Sequence, residues 1–243
     1  MLRHVLLVVA AVLGPMALGS AHAAPRTGPP AAVKATPGKQ ATASSTARKA
    51  KTSRATSPPR PRVGARIAEK ATDLVGVTSL RTVSTTVPDD CTGLVRLAYT
   101  SAGIDLMAPV PGRPGENGVT HIYRAARRKG ALHRTKPRPG DLVFFRETYD
   151  RDNDGRRDDG LTHVGVVERV EPGGRVTFVH RGGKGIVRSR MHLRWPATHR
   201  ARASREVLND YLRRASHPHR AYVTGELFAG FASPEALAPG RRK

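Results

Sequence analysis

Cysteine is almost absent from this chain: 243 residues contain one, Cys91, so no intramolecular disulfide can form. A lone thiol is often no more than a small buried hydrophobe, and only its neighbours can give it another role. Aromatic residues are also scarce, at 5 %. With no recognisable reader motif, this argues against a nucleic-acid partner despite the basic charge. Acids are outnumbered, 19 Asp and Glu against 42 Lys and Arg, for a formal charge of +23. That balance points to anionic surroundings or an anionic partner. Long apolar runs are missing too. The run from Val5 to Leu13 is broken by Gly14-Pro15 and falls short of the roughly 20 residues that cross a bilayer, and no second run comes close. No internal repeat is visible.

What is present falls into segments. Residues 1–23 have the plan of a secretory signal, with Arg3 ahead of the apolar run and Ala21-His22-Ala23 as a small-residue cleavage site. The expected mature chain is therefore secreted, periplasmic or held at the cell envelope, with no transmembrane segment. Residues 24–62 carry basic side chains among Pro, Ala, Ser and Thr, with no acid and almost no large apolar residue. Such a stretch cannot bury enough surface to offset its ordering entropy and reads as a disordered linker. Outside the cell it would serve either as a soluble spacer or as an electrostatic tether to an acidic envelope polymer. One folded domain is expected over 63–235, followed by a basic tail, 236–243.

Within that domain the pattern changes once. Ile67, Ala68, Ala71, Leu74 and Val75 recur at helical spacing, with Gly76 as a stop. Pro88-Asp89-Asp90 is a helix-start signal that puts Cys91 in a first turn, with Asp89 or Asp90 as the cap. A third helix is expected from about Thr120 to Lys129. After Pro137, short apolar runs at Leu142–Phe145, Val164–Val167, Val176–Val179 and Ile186-Val187 alternate with turn residues and read as strands. Glu171–Gly174 and Gly182–Gly185 look like hairpin loops, and Ala221–Ala232 is a candidate last strand. Helices first and antiparallel strands afterwards give an α+β class, N-terminal helices packed on an antiparallel sheet.

The helix start gives Cys91 a chemical reading. Unpaired N–H groups there stabilise a thiolate and can also receive the oxyanion of a tetrahedral intermediate. Of ten histidines, His163 and His180 are the best candidates for a base, because both fall in strands joined by one tight hairpin. An even-numbered loop would put them on one face, where one imidazole could take the thiol proton while the other holds its ring. An odd loop would separate them.

The ordered motifs Asp90-Cys91-Thr92-Gly93-Leu94-Val95, Arg138-Pro139-Gly140-Asp141-Leu142-Val143-Phe144-Phe145, His163-Val164-Gly165-Val166-Val167 and Phe178-Val179-His180 resemble those of the NlpC family of papain-like cell-wall cysteine peptidases. The related CHAP amidases and peptidases share the Cys-then-His order and the Pro-Gly-Asp turn. The resemblance implies a circularly permuted papain-like fold, Cys91 as nucleophile, His163 as general base, His180 as orienting residue and peptidoglycan stem peptides as substrate. No cofactor is expected for catalysis. The alternatives are a CHAP-like amidase or acyltransferase using the same dyad, or a non-catalytic envelope-binding module. Two departures stand out. Gly76-Val77-Thr78-Ser79 replaces the Gly-x-Pro-Tyr stretch whose tyrosine assists the oxyanion in the family, leaving Ser79 or a backbone N–H to substitute. Residues 195–220 have no counterpart and read as an insertion shaping the cleft.

Ahead of His163, Asp150, Asp152, Asp154 and Asp158 occupy positions one, three, five and nine of an EF-hand-like loop, with Gly155 at six. Leu161 stands at position twelve, so Asp158 or Asp159 must close the site, or it stays open to water. The expectation is a structural calcium that rigidifies the approach to His163; the alternative is a solvated acidic turn neutralised by neighbouring arginines.

Overall fold

The computed structural model describes residues 62–112 and 114–239. The expected signal segment, the linker except Arg62, and residues 240–243 of the tail lie outside them.

Three helices lead. α1 (Val63–Asp73) buries Ile67, Ala68 and Ala71, and the chain turns away at Gly76 with φ +93°. After a short 3-10 turn (Leu80–Thr82), α2 runs from Cys91 to Thr100 and α3 from Gly118 to Arg128. α3 begins two residues earlier than expected because the Asn117 side chain caps it, accepting the Thr120 N–H at 2.8 Å.

The strands are β1 (Leu132–His133), β2 (Leu142–Arg146), β3 (Leu161–Val170), β4 (Arg175–Gly182), β5 (Gly185–His192), β6 (Tyr211–Arg213), β7 (Tyr222–Val223) and β8 (Phe228–Ala232). Short helices α4 (Thr224–Leu227) and α5 (Pro234–Leu237) flank β8. Among the described residues, six strands form one antiparallel sheet in the order β1-β8-β2-β3-β4-β5, and β6 pairs with β7 separately. The candidate strand 221–232 thus divides: α4 interrupts it, and its second half enters the sheet between β1 and β2.

Alternation along the strands splits the core. Leu142, Phe144, Val164, Val166 and Val179 face the three leading helices. Val143, Phe145, Val167, Phe178 and Phe231 face the other way, where Leu212, Tyr222 and Leu227 cover them. The fold is α+β, as expected, and its helices on an antiparallel sheet are compatible with the papain-like layout that the resemblance implies. Two close approaches hold α2 in place. Buried Tyr99 donates its hydroxyl hydrogen to the Gly140 carbonyl at 2.8 Å. A side chain at Gly93 would meet the Pro88 carbonyl oxygen at 1.8 Å, so only glycine lets this first turn lie against the preceding loop.

Candidate active site

Cys91 is the first residue of α2. Asp90 is the cap, its Oδ1 accepting from Thr92 N at 2.8 Å, Gly93 N at 2.9 Å and Thr92 Oγ1 at 2.7 Å. Asp89 has a different task. Its carboxylate accepts from Ser79 Oγ at 2.8 Å, Leu80 N at 2.9 Å and Arg181 Nε at 3.1 Å, which together hold it well below the usual carboxylate range. This joins the loop before α2 to the end of β4. It also commits Ser79, one of the expected substitutes for the missing tyrosine, to Asp89.

The helix start does not lower the thiol pKa. Burial pushes it up from 9.0 to about 11, aided by the Asp90 charge, and the N–H groups of Val164, Cys91 and Thr92 only partly oppose this. The sequence expectation counted the helix N–H groups but not the desolvation, nor the fact that Asp90 already occupies two of those donors. A thiol raised this far is neutral near pH 7, and it lies against the β3 backbone at Val164.

His163 and Cys91 line one cleft of about 440 Å³, together with Asn117, Tyr149, Thr162 and Arg181. Behind His163, its Nε2 lies 2.9 Å from His180 Nδ1, and His180 Nε2 lies 2.9 Å from Ser189 Oγ. Burial lowers both imidazoles, His163 to about 3 with help from its neighbouring histidine and His180 to about 4, so both are neutral near pH 7.

The two histidines share a face by a route the sequence did not reveal. Glu171 N–H donates to the Arg175 carbonyl and Val170 pairs with Val176, leaving Pro172–Gly174 as an odd loop that would put the rings on opposite faces of a regular ladder. A β-bulge corrects the parity: Glu168 is the extra residue between the Val167↔Phe178 and Arg169↔Thr177 pairs. Gly165 then lies across from His180. A side chain there would meet the Val179 carbonyl oxygen at 2.7 Å and His180 Cβ at 3.2 Å, so glycine leaves the ring its space.

Of the expected metal ligands, Asp150 and Asp152 converge with Asp159, donor atoms of all three lying within 4.8 Å of one another. Asp150 Oδ1 and Asp159 Oδ2 are buried without a hydrogen-bond partner. Asp154 and Asp158 are outside this group: Asp154 Oδ1 accepts the Arg156 N–H at 2.8 Å, and Asp158 is exposed. The three converging oxygens suit a hard cation.

Ser189, Tyr149 and Arg181 were not singled out from the sequence. Ser189 was within reach, because the two-residue turn Gly183-Lys184 pairs His180 with Val187 and so puts residue 189 diagonally beside His180. Tyr149 and Arg181 left no such signal.

The CHAP domain model matches residues 82–182, under half of the chain but including Cys91, His163 and His180. No curated protein matches the chain. The match is to CHAP and not to NlpC in particular, so the ordered motifs lead to the second of the two related families named for them. Residues 82–182 are therefore similar to a CHAP domain, a group related to the cell-wall cysteine peptidases that the motifs resemble.

Proposed function

We propose that the chain is an exported cysteine hydrolase that cleaves an amide bond in peptidoglycan, with Cys91 as nucleophile, His163 as base and His180 as the residue that orients it. The observation that carries this reading is the shared cleft of Cys91 and His163, backed by the His163–His180–Ser189 chain of 2.9 Å contacts.

That chain has two self-consistent proton arrangements. In one, His163 Nε2–H donates to His180 Nδ1 and His180 Nε2–H donates to Ser189 Oγ, leaving the His163 Nδ1 lone pair free. In the other, Ser189 donates and His163 Nδ1 carries a hydrogen, so it cannot accept a proton. Only the first makes His163 a base. A thiol that is neutral beforehand loses its proton as it attacks: Sγ bonds to the amide carbon while the proton moves to His163. The Cys91 N–H, not taken by the Asp90 cap, serves as a donor for the oxyanion. His163 then gives the proton to the departing amine as the C–N bond breaks. Water, deprotonated by the same ring, hydrolyses the thioester to a carboxylate and regenerates the thiol.

The secretory plan of residues 1–23 supports export, and the basic linker suits an acidic envelope. A structural calcium belongs to the same reading, on Asp150, Asp152 and Asp159. Mass spectrometry of peptidoglycan fragments after incubation tests the activity: wild type is expected to release new amine and carboxylate termini, and Cys91→Ala to release none. Release by both would reject it. The masses also name the bond, separating an endopeptidase from an amidase, or from an acyltransferase that passes the acyl group to another amine.

A further inference from the structure

The cleft does not end at His163. A second hollow of about 330 Å³ continues it, sharing Tyr149, His163, Arg181, Gly182 and Gly183 with the first. Its far wall is Tyr211, Leu212 and Arg214, from the segment after β5. These residues lie beyond 82–182, so this wall is outside the matched domain.

The wall is anchored. Arg213 is buried and donates from Nη1 to the Glu147 carbonyl at 2.9 Å, fastening β6 to the loop that carries Tyr149. Asp210 accepts the Arg190 N–H at 2.7 Å. Asn209, fully buried, donates to the carbonyls of Trp195 and Thr198 at 2.8 Å and accepts the His192 N–H at 2.9 Å, which organises the preceding loop. The ring of Tyr211 rests on His199, centroids 4.5 Å apart. Tyr211 nevertheless remains 57 % exposed and Tyr149 50 % exposed, two aromatic surfaces at the same hollow.

The charge at this end is of one sign. No acidic residue lines the hollow, Arg181 is engaged by Asp89, and Arg214 is exposed with no ion pair to a described residue. The hollow includes His163 and His180 but not Cys91. A proton leaving His163 must reach the departing amine, so the amine-side fragment belongs on the histidine side of the scissile bond.

We infer that the hollow bounded by Tyr211 and Arg214 binds the amine-side leaving fragment, and that Arg214 receives a carboxylate carried by that fragment. Tyr211 packs against the fragment's apolar body, and the guanidinium supplies charge-assisted hydrogen bonds. This rests on the hydrolase reading for the direction of cleavage, and goes beyond it in naming the chemistry of the departing group.

The test uses two substrates with the same scissile amide, their leaving fragments ending in a carboxylate or a carboxamide. Wild type is expected to favour the carboxylate about tenfold in kcat/KM, chiefly through KM, with the preference eroding in high salt. Arg214→Gln should erase the preference, and Arg214→Lys should restore part of it. No preference in wild type, or the same preference in Arg214→Gln, overturns the subsite. If wild type cleaves neither substrate, the hydrolase reading fails by itself. Calorimetric binding of the two free leaving fragments to full-length protein, with and without Arg214, then decides the subsite separately: tighter carboxylate binding that needs Arg214 upholds it, and equal binding rejects it.

Discussion

Ser189 makes no contact with the thiol, yet it determines what His180 can do for His163. With the hydroxyl 2.9 Å from His180 Nε2, that nitrogen can carry its hydrogen and leave Nδ1 free to accept from His163. Without the hydroxyl, a buried N–H loses its partner and the orientation of both rings is less defined. Ser189→Ala is therefore expected to lower kcat about tenfold, equivalent to about 1.4 kcal/mol, with KM little changed. Ser189→Thr should recover part of the loss. Unchanged kcat in Ser189→Ala would remove Ser189 from the account. Cys91 shows the opposite balance at the same scale, because a helix start that should favour thiolate is outweighed by burial and by the adjacent Asp90.

At the scale of elements, the loop between β2 and β3 connects three parts of the site. It carries Tyr149, brings Asp150, Asp152 and Asp159 together, and receives Arg213 at Glu147 and His219 at Gly155. Calcium bound there would hold the strand leading to His163 and the wall bearing Arg214 at once. Adding calcium to chelator-treated protein should raise Tm by several degrees, at about 2–4 °C per kcal/mol of binding linkage, and Asp159→Asn should shrink the rise. Magnesium, which dehydrates reluctantly, should substitute poorly. No calcium-dependent shift would leave the loop as an acidic turn neutralised by its arginines.

The same elements show how much of the site was legible in the sequence. The three leading helices and the strands from Leu142 to Val187 follow local period and stop signals, and they appear close to where those signals put them. Parity between His163 and His180 was not legible, because an odd turn and the Glu168 bulge cancel, and nothing local at Glu168 announces a bulge. The sequence left Asp158 and Asp159 open as the closing ligand; that Asp159 converges while Asp154 stays out depends on how the loop closes on Glu147, which accepts the N–H groups of Asp159 and Gly160. Ser79 looked free as a donor only until Asp89, ten residues on, was seen to hold it.

For the whole molecule, the buried titratable groups set an acid limit. His163 and His180 titrate at about 3 and about 4 when folded but near 6.5 when unfolded. Between those values the unfolded chain binds more protons, so the stability these neutral rings contribute is present above pH 6.5 and is lost as pH falls through the window. Asp141 acts in the other direction. Burial raises it from 3.8 to about 6, so over that interval the folded state holds the extra proton and acid favours folding. Two rings displaced over a wider range outweigh one carboxyl. Tm should therefore fall from pH 7 to pH 5, and His180→Asn should flatten that slope; a Tm that rises toward pH 5 in wild type would contradict the assignment.

With Cys91 as the sole cysteine, a thioester intermediate can form at one residue of the chain only. Acid-quenched intact-protein mass spectrometry during turnover of a slowly deacylated peptidoglycan fragment tests this most directly. The account predicts a wild-type mass increased by the acyl fragment, removable with hydroxylamine and located on the peptide containing Cys91, with neither adduct nor product in Cys91→Ala. Product formed by Cys91→Ala at the wild-type rate would contradict it.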